Sequence, residues 1–143
     1  MRIDWLEDRR EYGMLFVRLI IGFHLMYGTL DNVASWERML EFRDFLSGHG
    51  VPWPLAGAIV SVWAQAICGL LFILGAATRP AAAIMIINFI AALGIAHRTG
   101  GYPPAALAFV MLFSSIALLI HGPGKPAVDE WLQRRQRPDS ANR

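Results

Sequence analysis

A single cysteine, Cys68, in 143 residues excludes an intrachain disulfide, a Cys-x-x-Cys redox pair and every multi-cysteine zinc or iron–sulfur site. Charge is scarce as well. Asp, Glu, Lys and Arg make up 17% of the chain, against roughly 25% in soluble domains. The net charge is +2, and the arginines sit in the tails rather than on a repeating face, so no nucleic-acid partner is expected. The sequence has no Gly-rich phosphate loop, no His-x-x-x-His or Glu-x-x-His pair, no Ser–His–Asp signature and no soluble catalytic domain. Its four histidines fall at four different levels: His24 within the first apolar run, His49 in a loop, and His97 and His121 at opposite ends of later runs. Bis-histidine haem needs two imidazoles on facing helices at one depth, so neither haem nor a metal site is expected.

What is abundant is apolar sequence: 55% of residues and a mean hydropathy of +0.42. Four long runs stand out, from Gly13 to about Leu30, Pro54 to Ala77, Pro80 to Ala96 and Pro103 to Ile120. Each reaches the roughly 17–20 residues needed to cross a hydrocarbon core. The runs are broken by Asp31-Asn32, by Gly48-His49-Gly50-Val51-Pro52, by Thr78-Arg79-Pro80, by the stretch from Arg98 to Pro104, and by Gly122-Pro123-Gly124. Short connections make successive helices antiparallel neighbours. The expected fold is all-α: a four-helix transmembrane up-and-down bundle in contact with the lipid bilayer, one domain over residues 1–137 with a disordered tail at 138–143. The first run lacks a small-x-small cleavage site and is expected to stay as a helix.

Two further helices are expected outside the spans. Ser35 to Ser47 places Trp36, Met39, Leu40 and Leu46 on one side and Glu37, Glu41 and Asp44 on the other, which suits a helix lying at the interface or capping the bundle mouth. The stretch after Pro126 reads as a short basic helix on an anionic leaflet. Nine Lys and Arg residues on the side of the termini, against Arg38, Arg43 and Arg98 on the other, place both termini in the cytoplasm. Trp36, Trp53, Tyr102, Trp5, Tyr12 and Trp131 flank the spans as an interfacial belt does, whereas Tyr27 and Trp63 are candidates for the bundle interior.

Polar residues inside the spans carry the sharpest expectation. At about 1.5 Å of rise per residue, His24 and Gln65 lie roughly 16 Å from the starts of their runs, Asn88 roughly 12 Å, and Ser114 and Ser115 roughly 17 Å. All fall near the middle of a core about 30 Å thick, where an unpaired polar group is costly and turns inward. Ser61, Gln65, Cys68, Gly69 and Ala76 form a small and polar stripe on the second run; Ala91 and Ala92 accompany Asn88. Two readings stay open. These side chains are interhelical glue, worth about 0.6 kcal/mol per contact, or they line a midplane pocket for a small ligand or proton relay, with His24 as the titrating group. Arg18 and Arg79 are candidate contacts for lipid or a partner. Arg18 lies about 8 Å inside its span and is expected to snorkel to the interface, or else to meet a lipid phosphate or an acidic neighbour.

Arg18-Leu19-Ile20-Ile21-Gly22, followed by Tyr27-Gly28, resembles the opening Arg-Leu-x-x-Gly helix of the DoxX family of membrane proteins. Leu46-Ser47-Gly48-His49-Gly50-Val51-Pro52 is similar to that family's Leu-x-x-x-Gly-(Val/Ile/Leu)-Pro stretch, and Gly69 to Arg79 to its Gly- and Leu-rich run closing in Gly-x-x-Thr-Arg. Gly122-Pro123-Gly124-Lys125 with Val128-Asp129 resembles the family's ending. Two positions depart from it: Gln65 stands where many members carry Glu, and Tyr27-Gly28 where many carry His-Gly. The resemblance implies a four-helix protein of the bacterial inner membrane, a subunit associated with a quinone-linked oxidoreductase or respiratory system, with quinone as a possible ligand, other membrane subunits as partners and no covalently bound cofactor. The residues themselves carry no catalytic motif. They leave two alternatives, a structural accessory subunit packing against a larger complex and a carrier of small molecules or lipid.

Overall fold

A computed structural model describes residues 10–96 and 102–136, which form six helices and no strand. They are α1 (Arg10–Ala34), α2 (Trp36–Gly48), α3 (Pro54–Leu74), α4 (Thr78–Ala96), α5 (Tyr102–His121) and α6 (Val128–Gln136). Trp5, Arg2, Arg9, His97, Arg98 and the expected tail at 138–143 lie outside the described residues.

The four long helices form an all-α membrane bundle. Tyr12–Ala34, Pro54–Leu74 and Thr78–Ile95 are each long and apolar enough to cross a bilayer, and α5 contributes the shorter apolar stretch Ala105–His121. α1 packs on α3, α3 on α4, α4 on α5 and α5 back on α1, so α1 and α4 lie on one diagonal and α3 and α5 on the other. The buried core runs along the axis through Leu25, Cys68, Phe72, Met85, Met111 and Leu118. Phe16, Ile20, Phe23, Tyr27 and Leu30 form an exposed stripe on α1. That distribution suits lipid, where no hydrophobic penalty drives such side chains inward. Tyr27 and Trp63 belong to this outer surface, at 71% and 49% exposed. They do not line the interior, because the α1–α3 contact is made by small residues instead.

Local chemistry sets the helix ends. Asp31-Asn32 do not break α1, which continues to Ala34; the chain turns at Ser35 alone (φ −131°, ψ 122°), and the Asn32 amide donates to the Arg38 carbonyl at 3.0 Å. α2 then lays Met39 and Leu46 against Ala58 and Val62 of α3, so it caps one end of the bundle, with Glu37, Glu41 and Asp44 facing out. α3 starts on Pro54 and stops at Gly75, whose left-handed backbone (φ 68°) lets the N–H groups of Gly75 and Ala76 close on Phe72 and Leu71, the usual C-terminal device. The second span therefore ends three residues before the expected Ala77. α4 begins at Thr78 because Asp129 of α6 caps it: one carboxylate oxygen accepts from Ala77 N–H at 2.7 Å and the other from Thr78 N–H at 3.0 Å. In return, Asp129 N–H donates to the Gly75 carbonyl at 3.0 Å. The C-terminal segment is thus fastened across the end of the bundle opposite α2.

Candidate functional site

Helices α2, α3 and α4 enclose a lateral groove of about 620 Å³. Its walls are apolar, with Phe42, Phe45 and Leu46 from α2, Val60 from α3 and Ile84 and Ile87 from α4. The small residues Gly57, Ala64, Ala91 and Ala92 leave the space between them. Val60 and Ile87 are exposed, so the groove opens sideways toward lipid.

The groove has one polar patch. The Gln65 amide nitrogen donates to Ser61 Oγ at 3.0 Å, and Ser61 Oγ donates to Asn88 Oδ1 at 2.8 Å. This chain ties α3 to α4 and leaves the Asn88 amide nitrogen without a hydrogen-bond partner among the described residues. Ser61 and Asn88 both line the groove. A primary amide has two donors and one acceptor oxygen; here the acceptor is engaged and the donors remain for a ligand.

Of the polar residues expected at mid-depth, Gln65 and Asn88 are therefore brought together, through Ser61. His24 is half-buried on α1 and enters no hydrogen bond with them among the described residues. Ser114 is half-buried, and Ser115 is fully buried with its hydroxyl donating to the Met111 carbonyl of its own helix at 2.8 Å. Register accounts for His24. Arg18 stands opposite Gly75 and Leu25 opposite Gly69, so the α1 residue level with Gln65 is close to Thr29, and His24 lies about 7 Å away along the axis. Thr29 is buried, its hydroxyl donating to the Leu25 carbonyl at 2.8 Å. Phe42 and Phe45 were not foreseen at the site; their i, i+3 spacing beside Met39 and Leu46 was the available signal.

Arg18 does not snorkel. It is 2% exposed, and its two terminal nitrogens donate to the Pro123 and Pro126 carbonyls, both at 2.8 Å. Asp129 is near enough to interact electrostatically. The turn 122–127 folds over the guanidinium and supplies the acceptors that interfacial water or a lipid phosphate would otherwise provide, which removes the drive to extend outward. Gly75 makes room for it: a Cβ there would stand 2.8 Å from Arg18 Cζ and 2.9 Å from Ala127 Cβ. Arg79, by contrast, is exposed on the rim of a polar pocket at the same end.

Among the described residues no three His, Cys, Asp or Glu side chains stand close enough to hold a metal ion. Fold and site together define a small multi-pass membrane protein with a lipid-side groove and a buried arginine locked by its own C-terminal turn. The chain belongs to the DoxX family, whose profile matches residues 13–98. No curated protein and no solved structure matches it significantly. The motifs at Arg18, at Gly75 to Arg79 and at Gly122 to Asp129, far apart in sequence, meet around the guanidinium.

Proposed function

We propose that this protein is a subunit of the bacterial inner membrane that holds a membrane quinone in the lateral groove and serves a quinone-linked oxidoreductase made of other membrane subunits. The observation carrying this reading is the Asn88 amide nitrogen, without a hydrogen-bond partner among the described residues, in the wall of an apolar groove. A quinone presents carbonyl oxygens that accept hydrogen bonds on an apolar ring and tail, and it exchanges two electrons and two protons when bound. The residues fit such a group: Asn88 donates to a carbonyl oxygen, Ser61 and Gln65 fix the amide's orientation, and Phe42 and Phe45 cover the ring. The sideways opening admits a ligand dissolved in the bilayer. Electrons come from the partner enzyme.

The test is quinone retention through purification in mild detergent, followed by titration with a short-chain ubiquinone analogue. Asn88→Leu should weaken binding about three- to tenfold, the worth of one neutral hydrogen bond, and Gln65→Leu less. Equal binding by wild type and Asn88→Leu, or none by either, would leave a scaffold without a ligand and defeat the proposal.

The proposal places both termini in the cytoplasm, on the strength of the nine-to-three bias of Lys and Arg. Alkaline phosphatase fused to the C-terminus should then be inactive and a fluorescent protein there bright. The opposite pair of results reverses the orientation.

A further inference from the structure

We infer that the polar pocket at the Arg18 end is a second binding site, one that takes the phosphoryl group of a membrane phospholipid. It measures about 540 Å³ and lies between the first turn of α4, the end of α5 and the turn 122–126. Three cationic or titratable side chains reach it from three separate segments: Arg79, His121 and Lys125. Two acidic residues share this wall, and Glu130 offsets Lys125 within the pocket, so the site rests on Arg79. Both oxygens of Asp129 accept from backbone, the N–H groups of Ala77 and Thr78, and Glu130 Oε1 stands 3.7 Å from Lys125 Nζ. Arg79 has no ion-pair partner among the described residues. Its guanidinium lies beside the turn: a Cβ on Gly122 would meet Arg79 Nε at 3.6 Å and Nη2 at 3.7 Å. A planar guanidinium with several fixed donors suits a phosphate better than a point charge does.

Depth selects the source of the phosphate. The pocket sits where α3 ends, α4 begins and α5 ends, at the boundary of the hydrocarbon core, the level of phospholipid headgroups. Basic pockets between spans at this level are recurrent headgroup sites. Ile120, one residue before His121, is 73% exposed and offers an apolar wall for an acyl chain leaving the pocket. This site stands apart from the quinone groove, and either assignment can fail without the other.

The experiment uses the full chain, delipidated in detergent. Its thermal midpoint is followed during titration with dioleoyl phosphatidylglycerol and, separately, with inorganic phosphate. The lipid should raise the midpoint saturably, and Arg79→Gln should weaken that response at least about tenfold, the loss of charge-assisted hydrogen bonds. Arg43→Gln, which removes a cation paired with Asp44 on α2, should leave the response unchanged. Helical circular dichroism reads the fold of each variant; should Arg79→Gln not fold, His121→Gln replaces it. A lipid response that survives Arg79→Gln, or an equal loss in Arg43→Gln, overturns the site. A response to inorganic phosphate equal to that of the lipid overturns the assignment to phospholipid.

Discussion

Replacing Arg18 by leucine should release the C-terminal turn and cost the bundle about 3 kcal/mol, the worth of two hydrogen bonds from a charged donor to part-buried carbonyls. Leucine fits the space beside Gly75 but leaves the Pro123 and Pro126 carbonyls without their donors. Both carbonyls are only part-buried, so water meets some of that loss and each costs about 1 kcal/mol, the low end for an unmet acceptor. It also strips Asp129 of the nearby positive charge that it faces across the cluster. Replacing a whole buried network with apolar groups is often harmless, but here only one partner changes and the others stay. Arg18→Lys should recover only part of the loss, because an ammonium lacks the fork that addresses two carbonyls at once. Asp129→Ala, which uncaps α4 and spares the guanidinium bonds, should cost less, about 1–2 kcal/mol. Thermal unfolding in detergent ranks the three, and limited proteolysis within residues 122–127 reports whether the turn has opened. An unchanged midpoint and digest for Arg18→Leu would mean that the turn holds without it.

The sequence made the spans legible because their signal is long and redundant. Roughly twenty apolar positions survive an error of three residues at either end, such as the one at Gly75. The α2 helix was legible for the same reason, since its acidic face repeats. Arg18 was not. Depth alone favoured snorkelling, and nothing in the residues around position 18 announces that a turn more than 100 positions later supplies its acceptors. The polar layer was half legible. A depth counted from each run's first apolar position holds only where all four runs start at one level. α1 starts at Arg10, and its contact with α3 is set by Gly22 and Gly69. His24 consequently falls out of register with Gln65 while Ser61 falls into register with Asn88. Helix-to-helix register is a long-range property, fixed by where backbones approach, and a single sequence records it only through the small residues that permit the approach.

Those small residues give the second large expected effect. Gly22→Ala should destabilise the bundle by about 1–3 kcal/mol, the cost of overpacking a tight interior contact. A Cβ on Gly22 would lie 2.8 Å from the Gly69 carbonyl oxygen and 3.1 Å from the Ile73 nitrogen, and one on Gly69 would lie 3.0 Å from the Gly22 carbonyl oxygen. The neighbouring atoms are backbone, so relief requires the two helices to part. Gly28→Ala, less than two turns along the same helix, has nothing within 4 Å of the added carbon. It should stabilise by about 0.5–1 kcal/mol, because alanine is the better helix former. The two substitutions are chemically identical, and their opposite signs isolate the crossing point from helix propensity. Gly22 lies one turn from Arg18, so parting α1 from α3 also draws the guanidinium away from Gly75 and the turn above it. Gly22→Ala should therefore share the protease sensitivity at 122–127 expected of Arg18→Leu. If its midpoint falls while the turn stays protected, the crossing and the clasp are independent, and the convergence of the three sequence motifs on Arg18 is a matter of proximity alone.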